Sequence, residues 1–288
     1  MKTIAEARKQ LTAALNSIYD SNESHAIARV IFEDLLGYNN SLFILHSNEW
    51  ISKDEQQMLD NALPRLLSKE PVQYITGKAH FLEHIYYVNS HVLIPRPETE
   101  ELVLHIVNYI KNHNIKNPII VDICTGSGCI AIAIKSLVPD AEIYAIDISN
   151  EALLIANKNA ESILGKDYIH FMQKDVLNIE SLEDIKQIDI IVSNPPYVLN
   201  SEKASMHKNV LDFEPHLALF VLDEDALIFY RKIGELGIKS IAYKGQIFFE
   251  INEQKAAELV HIFNSMGYNN AKTIKDIFEK DRMMQISQ

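Results

Sequence analysis

The chain is poor in cysteine: Cys124 and Cys129 are its two thiols, close together in apolar sequence and unsuited to a disulfide framework. A reducing, cytoplasmic setting is the expectation. No uninterrupted apolar run is long enough to cross a bilayer, and the opening residues Met1 to Glu6 lack the apolar core of a secretion signal. Basic charge is also short, since 27 Lys and Arg against 39 Asp and Glu leave a formal net charge of −12. That balance argues against broad contact with a phosphate backbone, which needs clustered cations, and favours a protein or small-molecule substrate. There is no internal repeat and no low-complexity segment. What remains is an ordinary globular composition, 47% apolar and 23% charged over 288 residues, enough for one large α/β domain and a smaller one.

Apolar periodicity divides the chain. Residues 3–68 repeat at helical spacing, with Ile4, Ala7, Leu11, Leu15 and Ile18 on one face and a capping box at Ser52 and Glu55. From Pro71 the period shortens: Val72, Tyr74 and Ile75 before Gly77, then Phe81 to Ile94, predict a β-hairpin. Pro95-Arg96-Pro97 closes it, and Glu98, Glu100 and Glu101 open a helix to about Lys111, where acids complement the helix dipole. From Pro118 strands and helices alternate, the pattern of a doubly wound α/β sheet. Strands are predicted at 119–123, 142–146, 168–172, 188–193 and 245–251, with two more near 271–276 and 282–286. Helices are expected at 129–137, 150–164, 223–236 and 253–266, and residues 199–220 as a long irregular loop serving a site. The predicted domains are a helical unit at 1–70, a hairpin linker at 71–95 and an α/β domain at 96–288.

The run Ile188 to Val192 reads as a strand buried on both faces, stopped by Ser193-Asn194-Pro195-Pro196-Tyr197. Ligands of open α/β sheets sit beyond such strand ends. Neither proline has an N–H, so this corner offers acceptors, the Asn194 side-chain oxygen and the Pro195 carbonyl, with Tyr197 as a flat face beside them. Rigid paired acceptors suit a planar –NH2 donor.

The first α/β strand ends in Asp122-Ile123-Cys124-Thr125-Gly126-Ser127-Gly128, directly before a helix. Gly126 and Gly128 allow close backbone approach to a ligand. Asp147, at the end of the next strand, is placed to accept from both ribose hydroxyls, and Asp175-Val176 after the third strand to meet an adenine. An adenosine cofactor across the sheet edge follows. The glycines alone fit NAD or S-adenosylmethionine; Asp122, Thr125 and above all Asn194 to Tyr197 favour S-adenosylmethionine.

With Val92-Leu93-Ile94-Pro95-Arg96-Pro97-Glu98-Thr99-Glu100 added to these motifs, the whole chain closely resembles the glutamine-N5 methyltransferases of peptide chain release factors (the PrmC/HemK family). Glu214-Pro215-His216-Leu217-Ala218-Leu219, Phe229-Tyr230-Arg231 and Phe249-Glu250-Ile251 add to the match. The resemblance implies a class I methyltransferase fold, a Rossmann-like seven-stranded sheet, behind a small helical domain that contacts the substrate protein. It implies S-adenosylmethionine as cofactor, S-adenosylhomocysteine as product and release factors as partners, with no membrane and no direct nucleic acid. By position it implies cofactor contacts at Cys124, Thr125, Gly126, Ser127, Gly128, Asp147, Asp175, Val176 and Asn194, and substrate contacts at Asn194, Pro195, Pro196 and Tyr197. Asn194, Pro195 and Tyr197 carry the catalytic expectation: the target amide donates to the Asn194 oxygen and the Pro195 carbonyl while Tyr197 packs beside it. Cys124, Val221-Leu222 and Asn252 stand where this family usually has Gly, departures that bear on loop geometry and cofactor affinity rather than reaction type.

Other readings share parts of this pattern. A ribosomal-protein glutamine methyltransferase would use the same chemistry, and so would an adenine-N6 methyltransferase, against which the acidic charge stands; a non-catalytic binding module would not need the full motif set. His80-x-x-Glu83-His84 matches a zinc pattern that requires a helix, whereas this segment reads as strand, so no metal is expected. Arg96, Glu98 and Glu100 read as structural, and Glu250 as a support for the site loop.

Overall fold

Helix-period sequence dominates the first quarter of the chain, and the computed structural model, which describes residues 2–166, 168–185 and 187–288, folds it as such. Helix α1 (Ile4–Leu15) starts in a capping box in which Thr3 and Glu6 satisfy each other's backbone N–H. Helix α2 (Ser21–Val30) is capped by Asp20 and widens into a π-turn over Ile31–Leu35. Helix α3 (Asn40–His46) and helix α4 (Lys53–Leu67) follow, α4 opening on the Ser52–Glu55 box and running through Pro64. Ile4, Leu15, Ile31, Phe32 and Leu66 form their common core.

The predicted strand over Val72 to Ile75 is instead a single helical turn, α5 (Val72–Thr76), ended by Gly77 at φ 70. Burial of Tyr74 and Ile75 in that turn overrides their β preference. The hairpin follows it, with strands β1 (Lys78–Phe81) and β2 (His84–Tyr87) turning at Leu82, and residues 88–96 carry no strand. By contact the chain divides into two compact units, Met1–Lys78 with His207–Phe213, and Ala79–Met206 with Glu214–Gln288.

The second unit alternates as its periodicity predicts. In order come α6 (Pro97–Asn112), β3 (Ile119–Ile123), α7 (Cys129–Leu137), β4 (Glu142–Asp147), α8 (Asn150–Ile163), β5 (His170–Gln173) and β6 (Ile188–Ser193). The stretch expected to be irregular is ordered into short pieces: β7 (Val198–Leu199), a 3-10 turn, α9 (Lys208–Phe213), α10 (His216–Leu219) and β8 (Phe220–Val221), which pairs with β7. Then come α11 (Ile228–Ser240), β9 (Ile241–Glu250), α12 (Ala256–Ser265), β10 (Asn270–Lys275) and β11 (Asp281–Ser287). Helix α11 thus starts later and ends later than expected, and β9 begins four residues earlier than the predicted 245.

Seven strands form the sheet in the order β10-β11-β9-β6-β3-β4-β5, parallel except for the pairings of β11 with its two neighbours. Alternation along the strands feeds two cores. Ile120, Val192 and Phe248 face α6 and α7, while Val121, Ile191 and Phe249 face α11 and α12. This is the doubly wound class I methyltransferase architecture. Among the described residues no helix is long and apolar enough to cross a membrane.

Asn159 of α8 ties the hairpin to the turn after β3. It is 2% exposed; its oxygen accepts from Tyr87 N–H at 2.7 Å, and its amide donates to the carbonyls of Tyr87 and Ser127, each at 3.0 Å. Asn159→Leu leaves three backbone groups without partners. The expected cost is roughly 2–4 kcal/mol, read as a lower denaturation midpoint with an unchanged m value.

Candidate functional site

The winding reverses between β3 and β6. The chain lays β4 and β5 on one side of β3 and returns to place β6 on the other, so the carboxyl ends of β3 and β6 flank the crevice of a topological switch point. Ile123 pairs with Ser193, whose hydroxyl also donates to the Ile123 carbonyl at 2.6 Å. Cys124 and Asn194 therefore leave the sheet side by side.

The turn after β3 passes through three left-handed residues, Cys124 (φ 63), Gly126 (φ 55) and Gly128 (φ 80). Thr125 N–H donates to the Ile146 carbonyl at 3.0 Å and Gly128 N–H to the Thr125 carbonyl at 2.9 Å. A Cβ on Gly126 would meet open space, whereas one on Gly128 would stand 3.0 Å from Ile132 and 3.1 Å from Ala156. Gly126 thus offers its backbone to a ligand, and Gly128 lets α7 and α8 close up. Cys124 holds a conformation that favours glycine, so the turn keeps its path at some cost in strain. Burial pushes the Cys124 thiol well up, and nearby Asp147 adds to it. The other departures need no glycine, because Leu222 (φ −70) and Asn252 (φ −70) are extended.

Three acids occupy the strand ends. Asp147 accepts from Gly126 N–H at 2.8 Å and Ser149 N–H at 2.9 Å, one on each oxygen, which leaves a further lone pair on each for a diol. Burial raises its pKa against those bonds. Asp175 accepts from Leu177 N–H and the Asn178 amide and so holds its own turn. Asp122 is fully buried behind the turn and accepts from the Thr125 hydroxyl at 2.6 Å. Burial pushes its carboxyl up to about 7, against the pull of Thr125 and of the Ala131 N–H facing it.

These elements enclose one cavity of about 360 Å³. Cys124, Thr125, Gly126, Ser127, Asp147, Asp175, Val176, Asn194 and Pro196 line it; Gly128, Pro195 and Tyr197 are not part of its wall. Tyr197 gives its hydroxyl to Glu250 at 3.2 Å. Burial beside that acid pushes its phenol pKa up. Thr99, which motif reasoning passed over, also lines the cavity and receives the Asn194 amide at 3.3 Å. Its signal was its place inside Arg96-Pro97-Glu98-Thr99-Glu100. Arg96, read as structural, borders the cavity and pairs at 2.5 Å with Glu214, which is 4% exposed and also accepts from Ile94 N–H. Glu100 is structural, accepting from Leu82 N–H at 2.8 Å. Pro215, Leu217, Ala218 and Phe229 add apolar surface to the wall, and Ser90, His91, Ser149 and Lys174 add polar groups. His80 and His84 lie on separate strands, His84 bonded to Ser136, and no cluster of three metal-ligating side chains occurs among the described residues.

Known proteins share the sequence and fold of this chain. Residues 6–77 match the PrmC N-terminal domain and residues 102–214 the methyltransferase small domain. The chain is 42% identical over 285 residues to the release factor glutamine methyltransferase of Flavobacterium psychrophilum, covering 99% of each. It is 42% identical over 271 residues to the release factor glutamine methyltransferase of Bacteroides thetaiotaomicron, covering 94% of this chain and 95% of that one. Among solved structures, the hMettl16 catalytic domain shares the fold with a TM-score of 0.54 at 17% identity, over 70% of this chain and 74% of that one.

Two outcomes follow from the turn. Cys124→Gly removes a left-handed side chain and is expected to stabilise the protein by about 1 kcal/mol, seen as a raised Tm. Asp122, with a folded pKa raised above 3.8 to about 7, contributes stability at acid pH that is lost as pH rises through about 7. Stability measured from pH 4 to 8 should therefore fall more steeply in the wild type than in Asp122→Asn.

Proposed function

The chain belongs to the family of release factor glutamine methyltransferases, and we propose that it transfers a methyl group from S-adenosylmethionine to the side-chain nitrogen of the glutamine in the Gly-Gly-Gln loop of a peptide chain release factor. One observation carries the reading: the glycine turn of β3 and Asn194 at the end of β6 open side by side into a single cavity. The residues present fit the cofactor. Asp147 has lone pairs for ribose hydroxyls, Gly126 leaves room against the turn, and Val176, Ile148 and Phe229 give apolar walls beside Asp175. When bound, S-adenosylmethionine supplies a methyl group on a cationic sulfur, an electrophile able to react with a delocalised amide nitrogen.

The chain's own residues then have to hold that nitrogen. The glutamine –NH2 donates a hydrogen to Asn194 Oδ1, which orients the nitrogen and spreads the positive charge that develops on it, whereas Pro195, the second acceptor expected from sequence, does not line the cavity. One such bond, at about 1 kcal/mol, is too weak to account for the rate. Holding two reactants in attack geometry is worth roughly 7–11 kcal/mol, so positioning dominates. Tyr197, engaged with Glu250, stiffens the corner from behind rather than presenting a free hydroxyl. No general base is required before transfer, because the amide proton becomes acidic once nitrogen is alkylated. The net acidic charge and the two free cysteines agree with a cytoplasmic protein substrate.

The test is mass spectrometry of a release factor incubated with the protein and S-adenosylmethionine, with ribosomal protein and DNA as parallel arms. One added methyl on the Gly-Gly-Gln glutamine is expected; transfer to either of the other arms alone would overturn the reading. Asn194→Ala should abolish transfer while cofactor affinity changes by no more than about threefold.

A further inference from the structure

The Asn194 carboxamide is nearly symmetric in shape, yet only one of its ends accepts hydrogen bonds. If its NH2 faced the cavity, a donor would meet the substrate's own donors. What decides the orientation is buried behind it.

Thr99 lies in the first turn of α6 and is 2% exposed, as is Glu250 at the end of β9. Thr99 Oγ1 stands 2.6 Å from Glu250 Oε2. With Glu250 ionised, the form that the charge of Arg282 favours, its carboxylate only accepts, so the Thr99 hydroxyl proton is committed to it. The Thr99 oxygen then presents lone pairs alone to Asn194, and the group that can approach it is Nδ2, at 3.3 Å. Asn194 Oδ1 is left for the cavity. The other Glu250 oxygen accepts from Tyr197, and Tyr230 donates to the Glu250 main-chain carbonyl at 3.0 Å, so the acid itself is held. Arg282 adds a favourable charge and Glu98 an opposing one. Burial raises the Glu250 carboxyl above its ordinary value, against the pull of Thr99, Tyr197 and Arg282.

We infer that Thr99 and Glu250 are positioning residues: their directional chain, Asn194 Nδ2 to Thr99 Oγ1 to Glu250 Oε2, fixes the acceptor end of Asn194 toward the substrate amide. The inference rests on the reading of Asn194 as acceptor for a glutamine –NH2. It brings together residues that lie 95 and 151 positions apart in the chain.

Thr99→Val keeps the shape and removes the hydroxyl. Its kcat on the release factor should fall about 10- to 100-fold with KM for cofactor changed less than about twofold, and Thr99→Ser should recover the rate to within about threefold of wild type. Asn194→Asp offers an acceptor at both ends, so orientation no longer matters; in that background Thr99→Val should alter the residual rate by less than about twofold. An equal loss in both backgrounds, or a near-normal kcat for Thr99→Val, overturns the assignment. A second readout does not need turnover. The Asn194 side-chain N–H signals, identified by their loss in Asn194→Ala, should exchange slowly with solvent in wild type and Thr99→Ser and rapidly in Thr99→Val. Unchanged exchange in Thr99→Val overturns the relay; slow exchange that is lost in Thr99→Val, in a protein that methylates no release factor, upholds the relay and overturns the substrate reading instead. Should Thr99→Val not fold, Thr99→Ala serves in both measurements.

Discussion

The parallel pairing of β3 with β6 is the constraint on which the rest of the molecule depends. Both strands are buried on both faces, so their register is held by two cores at once, and Ser193 adds a side-chain bond to the Ile123 carbonyl. A slip of one residue would carry Asn194 about 3.3 Å along the sheet and turn it to the other face. Residues 70 apart in sequence, Ile123 and Ser193, thereby set the two halves of the site level with each other.

The site buries more negative charge than a hydrophobic crevice tolerates without compensation, and each acid is answered locally. Asp122 has the Thr125 hydroxyl, Glu214 has Arg96 and the Ile94 N–H, and Glu250 has Thr99 and Tyr197. These partners offset part of the desolvation penalty, and what is left shows as the upward shifts of Asp122 and Glu250. They also fix the groups that touch the cavity. Arg96 cannot swing into it freely, Thr125 is pinned beneath the turn, and Tyr197 is drawn back from the opening. Around Asn194 the hydroxyl donors of Thr99 and Tyr197 are both committed to Glu250, in keeping with the donor-poor corner read from two prolines.

Much of this was legible in sequence. Strands buried on both faces announce themselves by continuous apolar runs, so β3 and β6 were placed to the residue, and the motifs at their ends followed. The class I fold and the family were visible in the same motifs. The short helix α5 was not, because one turn of Val, Tyr and Ile has the composition of a strand and its conformation is set by burial. Residues 199–220 read as irregular because segments of two to six residues are too short to show a period. Thr99 and Glu214 escaped functional notice for another reason. Each acts through partners roughly a hundred positions away, and local pattern carries no trace of such a contact.

Cys124 shows what holds the cofactor turn in shape. Were glycine's freedom the determinant, a side chain at φ 63 would have redirected the chain. The turn instead keeps its bonds from Thr125 to Ile146 and from Gly128 to Thr125, and Asp147 receives Gly126 from the neighbouring strand. Strain of this kind persists only where the surroundings over-determine the backbone. The path is therefore imposed by the end of β4 and by the tight approach of α7 and α8 at Gly128, with no required contribution from position 124. Gly128 differs because a Cβ there would stand 3.0 Å from the Ile132 side chain and 3.1–3.3 Å from Ala156, closer than ordinary van der Waals contact. Of the left-handed positions, one is demanded by packing, one by the space kept for a ligand, and one is tolerated.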